Sequence, residues 1–105
     1  MKGVDLYEID SKMTHLAAEY RDNPRGRHSP DLQRVLNVMR GAPAAGKHIL
    51  IFDKKRNGYV IAQLGGERGA PVIRNDERVF EKATDAEWEV FKLRWRQYTG
   101  QDLDI

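Results

Sequence analysis

The sequence predicts an α+β fold: two N-terminal helices, then a small antiparallel sheet of about three strands packed on a C-terminal amphipathic helix. Three observations support this prediction. Apolar residues recur every three or four positions in the first 41 residues, β-branched and apolar runs flank an Asn-Gly pair in residues 48–64, and a helical repeat returns in residues 84–100. At 105 residues the chain is one domain, with a helical arm (1–41) and a part holding the strands and last helix (47–100).

The first helix is predicted over residues 5–21. Its apolar positions are spaced by three and four residues and therefore share one face. These positions are Leu6, Ile9, Met13, Leu16, Ala17 and Tyr20. Turn-forming residues in the segment 22–26 end the helix.

The second helix, predicted from Pro30 to residue 40, has a sharply specified start. The Ser29 hydroxyl can accept a hydrogen bond from a free amide of the first turn, and Pro30 fits a position that needs no amide donor. Asp31 suits the positive end of the helix dipole. The buried positions are predicted at i, i+3, i+4 and i+7: Leu32, Val35, Leu36 and Met39. Gly41 ends the helix.

The first two strands follow a connector of small residues, 41–46. Residues 48–52 and 59–64 have the β-branched and apolar composition of strands. The pair Asn57-Gly58 between them is a strong signal for a hairpin. We therefore expect an antiparallel hairpin.

A third strand is less sharply defined. The glycine-rich segment 65–71 is predicted to be a flexible loop. After it, residues 72–73 or residues 78–81 supply one further short edge strand, and only one of these segments needs to be a strand.

The last helix begins with a predicted capping box. The Thr84 hydroxyl can reach the amide of Glu87, whose carboxylate can reach back to Thr84. The apolar face contains Trp88, Phe91, Trp95 and Tyr98, with Val90 nearby. Gly100 ends the helix as a left-handed cap, and residues 101–105 are expected to form a loose tail.

Composition narrows the classes of function. The chain has no cysteine, which excludes disulfides and thiolate metal sites and is compatible with a reducing cytoplasm. No stretch approaches the roughly 18 apolar residues of a membrane span, and the N-terminus lacks a signal-peptide pattern. Eighteen Lys and Arg against sixteen Asp and Glu give a charge of +2, which argues against strong nonspecific nucleic-acid binding. We expect a cytoplasmic protein with no membrane association.

The supply of core residues is small. Only 24 of the 105 residues are Leu, Ile, Val or Phe, and the mean hydropathy is −0.70. A chain of this composition either folds with a small margin of stability or completes its burial against a partner. This is a first indication that the chain is a subunit.

No recognisable active site is present in the sequence. The histidines His15, His28 and His48 lack the spacing of metal-binding motifs. The only serines, Ser11 and Ser29, lie in no nucleophile motif. We therefore predict no catalytic, cofactor-binding or metal-binding residue in this chain.

The basic residues before the second helix leave two interpretations open. His28, Arg25 and Arg27 could bind an anion at the helix N-terminus, where free amides and the helix dipole favour negative charge. Alternatively, these residues contact a partner protein, a common role of arginine-rich surfaces.

A distinctive pattern runs through residues 23–40. It consists of Asn-Pro, then Gly and His shortly before Ser-Pro, then Leu-Gln-Arg-Val, Asn and a terminal Arg. The pattern resembles the small subunit of N,N-dimethylformamidase. The similarity extends over roughly residues 20–96, through the hairpin and residues 77–80 into the last helix. The chain departs from the family pattern in a shorter N-terminal region, a glycine-rich hairpin end and two tryptophans in the last helix.

The resemblance implies a complex of large and small subunits that splits dimethylformamide into dimethylamine and formate. It also implies that the mononuclear iron and the catalytic residues belong to the large subunit. The chain is then a non-catalytic small subunit that stabilises the large catalytic subunit in a hetero-oligomer. We expect the helical arm to dock on that subunit, since arginine offers a planar fork of donors suited to interfaces. The predicted interface residues are Arg27, His28, Leu32, Arg34 and Arg40.

Two other interpretations belong to different classes of function. A three-stranded sheet backed by one helix could be a small DNA-binding module. Its candidate groove contacts are Lys54, Lys55, Arg56 and Arg68. An independent enzyme, with His28 and a nearby carboxylate as acid and base, is the third interpretation, but the sequence shows no pocket or nucleophile for it.

Overall fold

The described part of the chain forms three helices and one three-stranded sheet. The computed structural model describes residues 9–41, 46–67 and 69–105. The elements in chain order are α1 (Thr14–Asp22), α2 (Pro30–Arg40), β1 (His48–Asp53), β2 (Gly58–Gln63), β3 (Ile73–Phe80) and α3 (Ala83–Thr99). This order confirms the predicted α+β fold. Among the helices so described, none is both long and apolar enough to cross a membrane.

Helix α1 begins at Thr14, so the prediction that residues 9–13 are helical was wrong. The Asp10 carboxylate accepts the Lys12 amide at 2.9 Å, and the Asp10 carbonyl accepts the Met13 amide at 2.9 Å. Such local bonds offer the backbone a turn in place of a helix. Ile9 is nevertheless buried. The predicted helical residues 5–8, Leu6 among them, lie outside the described residues.

Helix α2 has the predicted bounds. The Ser29 hydroxyl accepts the Leu32 amide at 3.2 Å, Pro30 opens the helix, and Gly41 caps its end. The four predicted core residues of this helix are all buried. Residues 42–45 of the predicted connector lie outside the part of the chain that the structure describes.

The first two strands form the predicted antiparallel hairpin. Residues 54–57 form a four-residue turn, with Asn57 at φ 54° and Gly58 already paired with Asp53. The Asn-Gly pair thus ends the turn, with Asn57 as its last residue and Gly58 as the first residue of β2. The turn is stabilised by the Asp53 carboxylate, which accepts the amides of Lys55 at 3.0 Å and Arg56 at 3.3 Å.

Strand β3 is a single exposed edge strand. The sheet order is β1-β2-β3, and β3 pairs with β2 at Asn75↔Ile61 and at Phe80↔Tyr59. The register shift between these pairs is a bulge, which absorbs the extra residues of β3. Both candidate segments contribute residues to one strand, which is the single further edge strand that the sequence predicted.

Helix α3 packs on two layers at once. On one side, Ala86 and Val90 form a core cluster with Ile61 and Phe80 of the sheet. On another side, residues of α3 join the buried residues of α1 and α2 in a second cluster. The second cluster contains Ile9, Leu16, Ala17, Leu32, Val35, Leu36, Met39, Phe91 and Trp95. The arm and the sheet are thus held together through α3.

The two ends of α3 differ in how well they were predicted. The helix begins at Ala83 with Lys82 as its N-cap residue and has no side-chain cap, so the predicted capping box was wrong. The Glu87 carboxylate that the box requires binds Arg25 instead. At the other end, Gly100 adopts φ 75° as predicted. The following segment is not loose, because Leu103 packs on the core of the arm.

Leu32→Ala tests the packing of the arm. Leu32 has no exposed surface, so the truncation removes contacts in a closed core and should lower the free energy of unfolding by about 2–5 kcal/mol. Urea unfolding followed by circular dichroism measures the change. Val72→Ala is the control, because Val72 is 42% exposed and its truncation should cost at most about 0.5 kcal/mol. Equal effects at the two positions would contradict the arm core.

Candidate functional site

The start of α2 is joined to α1 by a carboxylate. Glu19 of α1 accepts the Ser29 amide and the Ser29 hydroxyl, each at 2.7 Å. The same hydroxyl accepts the Leu32 amide, so Ser29 donates to one helix and caps the other. The hydrogen bond from the Ser29 hydroxyl, together with that from its amide, holds the pKa of Glu19 below its ordinary value.

The predicted anion site is therefore filled by a carboxylate of the chain itself. Glu19 takes the amide at the N-terminus of α2, which is where an external anion would bind. Arg25 is bound to Glu87 of α3. His28 is half-buried, its Nε2 lies 2.9 Å from the Asn23 carbonyl oxygen, and its ring centroid is 5.9 Å from that of Tyr20. The three residues first proposed to bind an anion do not converge on one empty site.

The predicted interface residues separate into surface and core. Arg27, Arg34 and Arg40 are exposed, Arg27 in the loop before α2 and the other two on its outward side. Leu32 is fully buried in the arm core. It supports α2 from inside and offers no surface to a partner, which corrects its place among the interface residues.

A cavity of about 200 Å³ lies where the arm, α3 and the edge strand β1 meet. Its walls are mostly apolar, from Leu36, Met39, Ile49, Leu50, Val90 and Phe91. Its polar lining comes from Tyr20, Glu87 and Arg94. Arg94 donates from Nη2 to the His48 carbonyl oxygen at 2.8 Å, and burial lowers the pKa of its guanidinium. Burial raises the pKa of Tyr20, because burial disfavours the charged form of either side chain.

The basic hairpin end carries interleaved opposite charges. Arg74 lies 2.8 Å from the Asp53 carboxylate and 2.9 Å from that of Asp76. Arg56 contacts the same two carboxylates at 3.5 Å and donates to the Asp76 carbonyl oxygen at 2.8 Å. This pairing reduces the positive charge that the hairpin could offer to phosphates, as the DNA-binding interpretation requires. Arg68, the fourth candidate contact, lies outside the described residues.

The described residues do not fit an iron site. Over residues 9–41, 46–67 and 69–105, no three side chains of His, Cys, Asp or Glu come together as metal ligands. His48, one of the three histidines, is partly buried on β1, and burial lowers the pKa of its ring. No reaction step is therefore assigned to a metal in this chain.

Sequence reasoning missed the contacts that connect distant elements. Glu19 and Ser29, Arg25 and Glu87, and Arg94 with the His48 carbonyl each join separate parts of the chain. The only advance signal was the position of Arg94 on α3, one helical turn from the apolar residues Val90 and Phe91. A charged residue so placed lies beside the buried face.

Comparison with known proteins gives two findings. The model of a family described as N,N-dimethylformamidase alpha subunit matches residues 8–104. The N,N-dimethylformamidase alpha subunit of Paracoccus aminophilus is 30% identical over 81 residues, which cover 74% of this chain and 57% of that protein. The chain thus spans little more than half the length of this curated relative.

The bond between Glu19 and Ser29 predicts a pH-dependent stability. Since the folded pKa of Glu19 is depressed, its contribution is present above the unfolded pKa and is lost as the pH falls through the folded pKa. Glu19→Gln should make the acid limb of the stability profile shallower, measured by urea unfolding over a pH series. Some slope should remain, because hydrogen bonding to Arg74 also lowers the pKa of Asp53.

Ser29→Ala provides the matched comparison for this effect. It removes the hydroxyl that donates to Glu19, so the free energy of unfolding should again fall less steeply at acid pH. The double variant should reduce this slope little more than the single variants do. Fully additive changes in slope would show that the two residues act independently, against the observed contact.

Proposed function

The chain belongs to the N,N-dimethylformamidase alpha-subunit family, and from that premise we propose that it is a non-catalytic subunit of an amide-hydrolysing complex. The complex would cleave dimethylformamide to dimethylamine and formate, or act on a related amide. The observation that carries this proposal is the extent of the family match, residues 8–104 of a 105-residue chain.

The local bonding of the candidate side chains supports a structural role. Ser29 caps α2 and donates its hydroxyl to Glu19. His28 lies against Tyr20 and bonds to the Asn23 carbonyl. Each of these two side chains, which could otherwise serve as nucleophile or acid–base group, is already used in a contact within the arm.

We assign the mononuclear iron and the catalytic residues to a larger partner chain. Over residues 9–41, 46–67 and 69–105, the His, Asp and Glu side chains do not come together in groups of three, which supports this assignment. The small number of apolar core residues suits a chain whose burial is completed in a hetero-oligomer. We place this complex in the cytoplasm, in keeping with the absence of cysteine.

The outward side of α2 is the proposed docking surface. It presents Arg34, Asn37 and Arg40, while Arg27 and His28 extend it into the preceding loop. Arginine forks can bind partner carboxylates with two parallel hydrogen bonds, which gives both affinity and a defined orientation. Docking there would leave the packing of the arm on α3 unchanged and would stabilise the larger chain.

A double charge reversal tests this surface. Arg34→Glu with Arg40→Glu should weaken binding to the larger chain by at least about tenfold, because carboxylates would then face carboxylates. The measurement is the amount of larger chain that copurifies when both are expressed from the native operon. Lys54→Glu with Lys55→Glu makes the same change of charge on the exposed hairpin turn and should retain the complex.

Two results would contradict the proposal. If the unaltered chain copurifies with no larger protein, it is not a subunit of such a complex. If both double variants lose the partner equally, the outward side of α2 is not the docking surface.

A further inference from the structure

Arg94 is a half-buried cation with no carboxylate partner in the described part of the chain. Its Nη2 is bound to the His48 carbonyl, while its Nε is buried and has no hydrogen-bond partner. Other arginines pair with carboxylates: Arg25, Arg56, Arg74, Arg78 and Arg96. The positive charge of Arg40 also lowers the pKa of the Arg94 guanidinium.

The cavity beside Arg94 has room for a ligand. Its volume of about 200 Å³ is several times the roughly 10–15 Å³ that a cavity needs to hold one water molecule. Glu87 lines the same cavity, but its carboxylate is bound to Arg25. The space therefore combines apolar walls with a cation that lacks a counter-charge.

A buried charge is costly unless it is paired and hydrogen-bonded. The planar guanidinium group binds a carboxylate well, since two of its N–H groups can donate in parallel. The apolar walls favour an aliphatic body over a strongly hydrated inorganic anion. The guanidinium and the apolar walls together favour a carboxylate that is attached to an aliphatic group.

We propose that the cavity is a carboxylate-binding site, which takes a carboxylate on a short aliphatic body with Arg94 as its charge partner. The carboxylate belongs either to a small free acid or to an Asp or Glu side chain of another protein. This site does not depend on the subunit role proposed above, because its residues all belong to this chain.

Sodium butyrate is a suitable probe, and butyramide is its neutral isostere. Isothermal titration calorimetry on the full chain should show binding on the order of millimolar, which suits a ligand of so few atoms. Butyramide should bind at least about tenfold more weakly, because it lacks the charge that pairs with Arg94. No binding of butyrate at about 50 mM, or equal binding of the two probes, would overturn the proposal.

Three variants locate the site. Arg94→Gln should weaken butyrate binding at least about tenfold, whereas Arg96→Gln, the same change outside the cavity, should keep it. Ile49→Phe fills part of the cavity from β1 and leaves the guanidinium in place, so it should also abolish binding. This variant keeps the test valid if Arg94→Gln fails to fold after losing its bond to His48. Undiminished binding in folded Arg94→Gln or Ile49→Phe would refute the site.

The source of the natural carboxylate is found by repeating the titration on the chain purified with its larger partner. Loss of butyrate binding in that complex, together with binding by the chain alone, supports the site and assigns the carboxylate to the partner. Binding that persists in the complex supports the site and assigns it to a free acid. If no complex forms, the subunit proposal fails, while the titration of the chain alone still decides the cavity.

Discussion

The structure depends on α3 having two apolar faces. One face, with Ala86 and Val90, packs on the sheet, and the other, with Phe91 and Trp95, packs on the helical arm. Neither layer could form a core of adequate size without this helix, because a single hairpin with an edge strand or a single pair of short helices buries little apolar surface. The polar sector of α3 is correspondingly narrow, and side chains at the boundary between its two faces are only partly solvated. Arg94 and Glu87 lie at that boundary.

Several charged residues are used in pairs that hold the chain together. Glu19 is used at the start of α2, Arg25 joins Glu87, and Asp53 joins Arg74. These pairs connect elements that are distant in the sequence. The docking surface proposed on α2 and the carboxylate site proposed at Arg94 depend on other residues of the described chain. One is suited to a large charged surface, the other to a single small group.

Several features that depend on residues close together in the sequence were predicted correctly. Several that depend on contacts between distant residues were not. The bounds of α2 were predictable because Ser29, Pro30 and Gly41 act within one turn. The start of α3 was not, since Glu87 binds Arg25 from the other end of the chain instead of completing a local cap. The bulge in β3 likewise depends on pairing with β2. At the site, the exposure of Arg34 followed from the helical repeat, but Leu32 was misplaced because a residue on the buried face of a helix was counted among surface contacts.

The hydrogen-bonded pair of Glu19 and Ser29 has a consequence for the evolution of the family. Because the hydroxyl serves two helices at once, replacing either residue alone leaves a partly buried polar group without its partner. Positions 19 and 29 are therefore not free to diverge separately. Relatives that lack one of the two residues should also lack the other or have it replaced. Such paired substitution would show that these two helices, which are separated along the chain, evolve together.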